Sequence, residues 1–249
     1  MQQARLAFLH GFMGHPADWD ELCSELESRC NEHSAAAKFE TCSLPIQPAR
    51  DWQSSLQQLA DAIPTDSILV GYSMGARLAL GLAVEFPNRF RGLVFISGNP
   101  GLESAAAREQ RAVSDRQVAD RIKSQPLCEF LTEWYQQAVF SNVPADIIQS
   151  EIDRKLQRDT AHWPAILHAN SIANQPNYWE HLDRLQIPVL AISGEQDTKY
   201  CKIAVRLANE LPTQVTSQII AECGHMVHRE RPLTLVEALA DFTKRLETS

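Results

Sequence analysis

Leu69-Val70-Gly71-Tyr72-Ser73-Met74-Gly75-Ala76-Arg77 carries an apolar run into a glycine, presents one serine, and resumes as the apolar segment Leu78-Ala79-Leu80-Gly81-Leu82-Ala83-Val84. This reads as strand, tight turn and helix. In Gly71-x-Ser73-x-Gly75, small residues two before and two after the serine let the chain turn sharply while holding the hydroxyl clear of a sheet, as in a nucleophile elbow. The pattern is short and also arises in ordinary Gly- and Ser-containing turns. Its meaning depends on whether the rest of the chain supplies a base, an acid and an oxyanion hole in a usable order.

Working outward, Leu6-Ala7-Phe8-Leu9 is a continuous apolar run, as a buried parallel strand requires. His10-Gly11-Phe12-Met13-Gly14 follows it, a Gly-rich loop able to aim backbone N–H groups into a cleft. Residues 17–26 have helical spacing, residues 39–42 form a weak strand ended by Pro45 and Pro48, and Asp51 caps a helix through about residue 63. The strand 67–70 feeds the elbow and the helix 74–85 leaves it; the strand 92–97 then ends in the turn Gly98-Asn99-Pro100-Gly101. From there to about residue 185 the strand signal disappears in an Arg-, Gln- and Ala-rich stretch of helical spacing, an expected helical cap. Strands at 187–193 and 215–220, a helix near 202–211 and a closing amphipathic helix at 233–246 complete the pattern. The expected fold is α/β: a mostly parallel sheet with helices on both faces, built from residues 1–100 and 186–249, with residues 101–185 inserted as the cap.

Composition is compatible with this. A chain of 249 residues with 44% hydrophobic and 22% charged residues suits one sizeable domain with an insertion. The net charge of −8, with no Lys/Arg block, argues against a nucleic-acid partner, since phosphate binding needs a clustered basic footprint. No run approaches the 18 apolar residues of a membrane span, and Met1-Gln2-Gln3-Ala4-Arg5 leads into a strand without the apolar core of a signal peptide. Cys23, Cys30, Cys42, Cys128, Cys201 and Cys223 are scattered without a C-x-x-C pair, which fits reduced thiols better than a disulfide or zinc framework. The expectation is a cytoplasmic monomer without metal or cofactor.

Each turn that follows a strand carries a candidate group: Gly11-Phe12 after the first, Ser73 in the elbow, Asp197 in Gly194-Glu195-Gln196-Asp197, and His225 after the last. In open α/β sheets the ligand crevice lies beyond the carboxyl ends of the strands, so these four loops converge on one edge. The order Ser, Asp, His is that of the α/β-hydrolase architecture. His225 would take the proton of Ser73, Asp197 would fix the imidazole tautomer, and the backbone N–H groups of Phe12 and Met74 would form the oxyanion hole. Glu195 competes with Asp197 for the acid role, and His228 with His225 as base or as a metal pair; without an H-E-x-x-H pattern or further ligands the metal reading is not favoured. His10 is expected to pack or hydrogen-bond at the loop base.

Arg77 narrows the chemistry. Four residues after Ser73, it stands in the first turns of a helix, where the macrodipole favours anions over cations. An anionic substrate bound by the guanidinium would explain it; pairing with a structural carboxylate is the plainer reading. Arg108, Arg111, Arg116 and Arg121 follow in the cap at spacings that do not give one stripe, and Trp134-Tyr135 is equally an apolar wall or a core anchor.

From about Leu6 to Asp241 the chain resembles the 2-succinyl-6-hydroxy-2,4-cyclohexadiene-1-carboxylate synthases, the menaquinone-pathway branch of the α/β-hydrolase superfamily. The resemblance rests on Leu9-His10-Gly11-Phe12-Met13-Gly14, the elbow through Arg77, Gly98-Asn99-Pro100-Gly101-Leu102, Ala107-Arg108 with Arg111, Asp115-Arg116 and Arg121, Trp134-Tyr135-Gln136-Gln137 with Val139-Phe140, and Gly194-Glu195-Gln196-Asp197 with Lys199. It implies a lyase that abstracts a proton from a cyclohexene polycarboxylate and eliminates pyruvate, with Ser73 as base. It also implies substrate binding by Tyr72, Arg77, Arg111, Trp134 and Lys199. The alternative is a carboxylic-ester or thioester hydrolase using Ser73 as nucleophile; a non-catalytic binding protein of the same fold would lack a triad member. Where the family usually shows Asp-Leu-Pro-Gly-His after the second strand, this chain has Ser43-Leu44-Pro45-Ile46-Gln47, and the family's later cap arginine has two nearby counterparts, Arg154 and Arg158.

Overall fold

A computed structural model describes residues 4–32 and 39–248. Its sheet is built from β1 (Ala4–Leu9), β2 (Phe39–Leu44), β3 (Ile68–Tyr72), β4 (Gly92–Ile96), β5 (Val189–Gly194) and β6 (Val215–Ile220). The strand order is β2-β1-β3-β4-β5-β6, and every pairing is parallel. Between β1 and β3 the order reverses, which opens a crevice at the carboxyl edge. Leu9 stands opposite Gly71 there, so the loops after β1 and β3 leave side by side.

The helices are α1 (Asp20–Glu32), α2 (Trp52–Ala62), α3 (Met74–Glu85), α4 (Ala105–Ser124), α5 (Leu127–Tyr135), α6 (Ala145–Leu156), α7 (Trp163–Asn170), α8 (Thr198–Glu210), α9 (Val227–Glu230) and α10 (Pro232–Thr248). One apolar layer packs α1 and α10 against one sheet face through Leu6, Phe8, Val70 and Val94. The other packs α2, α3 and α8 through Ala7, Leu9, Leu69 and Leu93. The alternation along each strand divides its side chains between these layers. Asp51 caps α2 as the sequence indicates, its Oδ1 accepting from Ser54 N at 2.8 Å.

Several boundaries shift by a few residues from the sequence reading, and two of the shifts have a clear cause. β5 begins at Val189 rather than at 187 because Pro188 has no N–H for the ladder; its carbonyl accepts from Leu93 N at 3.0 Å. α8 begins at Thr198, four residues before the expected start, with Asp197 at its N-cap position and no side-chain cap bond.

Between β4 and β5 the chain forms no strand, only α4 to α7 and short 3₁₀ turns. α4 is mostly polar, Asp115 being its one buried residue, with Val118 and Ile122 packed partly against the core. Among the described residues no helix is long and apolar enough to cross a membrane. Cys23, Cys42, Cys128, Cys201 and Cys223 are free thiols, and the side chain of Cys30 lies outside the described residues.

Candidate active site

The elbow is tight in a way that dictates its residue types. Ser73 has φ 52° and ψ −108°, between the last residue of β3 and the first of α3, and its N–H donates to Ile96 O at 2.9 Å. A Cβ on Gly75 would come within 2.1 Å of the Leu9 carbonyl oxygen, and one on Gly71 within 2.4 Å of the Gly75 carbonyl oxygen. Only glycine permits these backbone approaches, so the strain at Ser73 is held by packing on both sides.

His225 Nδ1 lies 2.6 Å from Asp197 Oδ2, both residues being buried. This explains the missing cap on α8: the Asp197 carboxylate is turned onto the imidazole. The two loops are stapled together as well. Gln196 N donates to Cys223 O at 2.9 Å, and Glu222 N to Glu195 Oε2 at 3.0 Å. Glu195, the rival acid in the sequence, is thus a tie between loops. Among the described residues Ser73 Oγ makes no hydrogen bond. The His225 ring packs on Tyr72, Tyr200 and Phe140, with centroids 5.4, 4.7 and 5.8 Å away.

Ser73 lines a narrow cleft of about 60 Å³ together with Gly11, Phe12, Tyr72, Trp134, Phe140 and Met226. Phe12 and Trp134 meet edge to face at 5.5 Å across it. Met74, whose N–H is the other expected oxyanion donor, is buried at the start of α3. Burial raises the Tyr72 phenol well above its ordinary range, with Tyr135 and Glu151 adding to the effect. His10 holds the loop base: its Nδ1 meets Gly11 O at 2.8 Å and its Nε2 accepts from Ile46 N at 3.2 Å. The Ser43-to-Gln47 segment therefore supports the β1 loop through a backbone N–H, for which the side chain at residue 46 is immaterial.

Arg77, Arg111 and Lys199 do not line this cleft; Arg77 and Arg111 act electrostatically on Tyr200, and Lys199 Nζ lies 5.4 Å from its ring centroid. Arg77 is 9% exposed, and its Nη1 and Nη2 donate to Gln175 Oε1 at 2.9 Å and Asn170 O at 2.8 Å. No carboxylate among the described residues reaches it, so the plainer reading of Arg77 as half of a structural ion pair does not hold. Burial lowers its guanidinium to about 10, and repulsion from Arg111 adds to this. Arg111 pairs with Asp115 at 2.7 Å, whose other oxygen accepts from Ser171 Oγ at 2.6 Å. Lys199 keeps much of its surface in solvent; partial desolvation, then repulsion from Arg111, lowers its ammonium.

Sequence reasoning missed the polar floor of the cleft. Lys155 Nζ donates to Glu151 Oε2 at 2.6 Å, both side chains being 4% exposed, and Arg229 Nε lies 3.0 Å from Glu151 Oε1 without the alignment of a hydrogen bond. Burial opposes charge on both members of the Glu151–Lys155 pair. Attraction to Lys155 nonetheless holds Glu151 below its ordinary range, and attraction to Tyr135 and Glu151 holds Lys155 above its own. Arg158 pairs with Asp18 and also donates to Met13 O at 3.3 Å, while Arg154 pairs with Glu21 at the surface. His228, the rival base, is buried between Trp19 and Tyr72, and its Nδ1 has no hydrogen-bond partner. Among the described residues no group of three or more His, Cys, Asp or Glu is placed to hold a metal ion. The Glu151-x-x-x-Lys155 spacing is that of an (i, i+4) pair; that both residues would be buried in the lining of the Ser73 cleft was not legible.

Residues 6–239 match the alpha/beta hydrolase family. The 2-succinyl-6-hydroxy-2,4-cyclohexadiene-1-carboxylate synthases of Salmonella newport (strain SL254) and Salmonella enteritidis PT4 are each 32% identical, the alignment covering 96% of this chain and 93% of theirs. Among solved structures, MenH from S. aureus superposes with a TM-score of 0.85 at 20% identity, covering 99% of this chain and 96% of that one. A malate-bound esterase from Thermogutta terrifontis gives 0.75 at 21% identity, covering 98% and 91%. With the match spanning residues 6–239, nearly the whole chain, the chain belongs to the alpha/beta hydrolase family.

Proposed function

We propose that this protein is a carbon–oxygen lyase that eliminates pyruvate from 2-succinyl-5-enolpyruvyl-6-hydroxy-3-cyclohexene-1-carboxylate to give 2-succinyl-6-hydroxy-2,4-cyclohexadiene-1-carboxylate, a step of menaquinone biosynthesis. The observation that carries this reading is the buried Arg77 cation held by two neutral acceptors and acting electrostatically on Tyr200, whose ring packs on His225. A buried charge without a protein counter-ion is costly, and a substrate carboxylate offsets that cost. Full-length relatives of that name at 32% identity support the same reaction.

In this mechanism His225, oriented by Asp197, draws the proton from Ser73 Oγ, and the serine oxygen removes a ring proton. The C–H electron pair becomes an enolate, which the N–H groups of Phe12 and Met74 stabilise. The electrons then shift to expel the enolpyruvyl oxygen; the C–O bond breaks with its electron pair leaving on oxygen, and the released pyruvate enolate takes a proton on carbon from the His225 imidazolium and becomes pyruvate. Tyr72, Arg77, Arg111, Trp134 and Lys199 bind the polycarboxylate, and residues 101–185 cap the site. The protein acts as a cytoplasmic monomer.

A lactate-dehydrogenase-coupled assay for pyruvate tests the reading. Turnover on the tricarboxylate substrate, lost by about 10³-fold or more in Ser73→Ala, is the expected result. No pyruvate, together with an acyl-enzyme burst on p-nitrophenyl esters, makes Ser73 a nucleophile and overturns it.

A further inference from the structure

We propose that Glu230 is a positioning residue for His225, an inference that rests on the reading of His225 as the proton carrier. Glu230 closes the short helix α9, and its carboxylate is buried. Oε2 accepts from Gly224 N at 2.7 Å and Oε1 from Met226 N at 2.8 Å. One carboxylate therefore grips the backbone amide before His225 and the one after it. Among the described residues no lysine or arginine comes within ion-pair distance of that carboxylate, so these two donors are what satisfies it.

The location explains why such a grip is needed. β6 is the edge strand, so the loop leaving it has a neighbouring loop on one side only, the one bearing Asp197. Ties from Gln196 and Glu195 hold that side. Glu230 holds the other, and between the two the imidazole stays 2.6 Å from Asp197. Helix capping accounts for only half of the arrangement. Met226 is the N-cap of α9, so its bond to Glu230 is the helix's own. The Gly224 amide lies outside the helix, and its bond has no capping purpose. Charge-assisted bonds to backbone amides are short and directional, and a displacement of about 1 Å at a reacting group costs on the order of 10²-fold in rate.

Glu230→Gln and Glu230→Ala separate this role from stability. Gln keeps the shape and one acceptor but turns an NH₂ toward the second amide. The readouts are the downfield proton resonance of the His225–Asp197 hydrogen bond in the ligand-free protein, kcat and KM for pyruvate release, and Tm. In Glu230→Gln the resonance is lost or broadened and kcat falls by tenfold or more, while KM stays within roughly threefold and the protein remains folded at the assay temperature. Glu230→Ala loses more, or does not fold, in which case Glu230→Gln decides. An unchanged resonance in folded Glu230→Gln overturns the proposal, as does a kcat deficit no larger than its unfolded fraction. Because the resonance needs no substrate, it still decides the matter if the wild type releases no pyruvate.

Discussion

Arg77 and Ser73 sit four residues apart, yet the sequence treated them unequally. Ser73 was legible from its glycines, and its left-handed φ of 52°, with the 2.1 and 2.4 Å that a Cβ on Gly75 or Gly71 would leave to a carbonyl oxygen, shows why those glycines are obligatory. For Arg77 the sequence left two readings open, and the hydrogen-bond partners Gln175 and Asn170 remove the structural ion pair. They lie 98 and 93 residues away, a separation no local pattern reveals. Lys155, Glu151 and Glu230 were missed for the same reason: each looks like an ordinary helix-surface charge until the fold buries it. If Arg77 binds a substrate carboxylate, Arg77→Ala lowers kcat/KM for the tricarboxylate by about two orders of magnitude, while p-nitrophenyl acetate, which has no carboxylate, detects no comparable loss. Equal losses on both substrates would show that Arg77 merely supports the fold.

At the scale of elements, the strands were readable because buried parallel strands are short apolar runs, and each candidate group follows one directly. The β5 and α8 boundaries were misplaced for identifiable causes, a proline that cannot join the ladder and an aspartate diverted from capping to His225. α4 to α7 were legible only as a helical stretch, since a polar helix such as α4, with one buried residue, carries almost no amphipathic signal. The junction between β1 and α3 provides a test at this scale. In Gly75→Ala the new Cβ meets the Leu9 carbonyl at 2.1 Å, and neither backbone can yield without breaking the β1–β3 ladder or the elbow. A loss of about 3 kcal/mol or more in urea unfolding is expected, against well under 1 kcal/mol for a helical Gly→Ala change without contacts. A Gly75→Ala protein of wild-type stability would mean that the elbow is looser than its geometry indicates.

The molecule as a whole is organised around a cleft whose floor is charged and whose walls are histidines and aromatics, and this gives it a particular response to acid. His10 and His228 are buried; burial lowers each to about 4, against which the Gly11 hydrogen bond and Asp18 at His10, and attraction from Glu151 and Asp18 at His228, are too weak to compensate. An unfolded histidine titrates near 6.5, so between pH 6.5 and 4 the unfolded chain binds more protons than the folded one. The stability these histidines contribute is complete above pH 6.5 and is lost as the pH falls toward 4. Asp18 acts in a lower window. Burial would raise it, but Arg158 holds its carboxyl at about 2, so its contribution is complete above pH 4 and fades only below. From pH 7 to 5 the histidines therefore dominate, each removing about 2 kcal/mol at pH 5, a large share of the 5–15 kcal/mol typical of a folded domain. Urea midpoints at pH 7 and 5 measure the loss. His228→Phe keeps a ring between Trp19 and Tyr72 but cannot bind a proton, so its midpoint falls by roughly half as much as that of the wild type. Equal falls in the two proteins would place the acid sensitivity elsewhere, away from the histidine that packs against Tyr72.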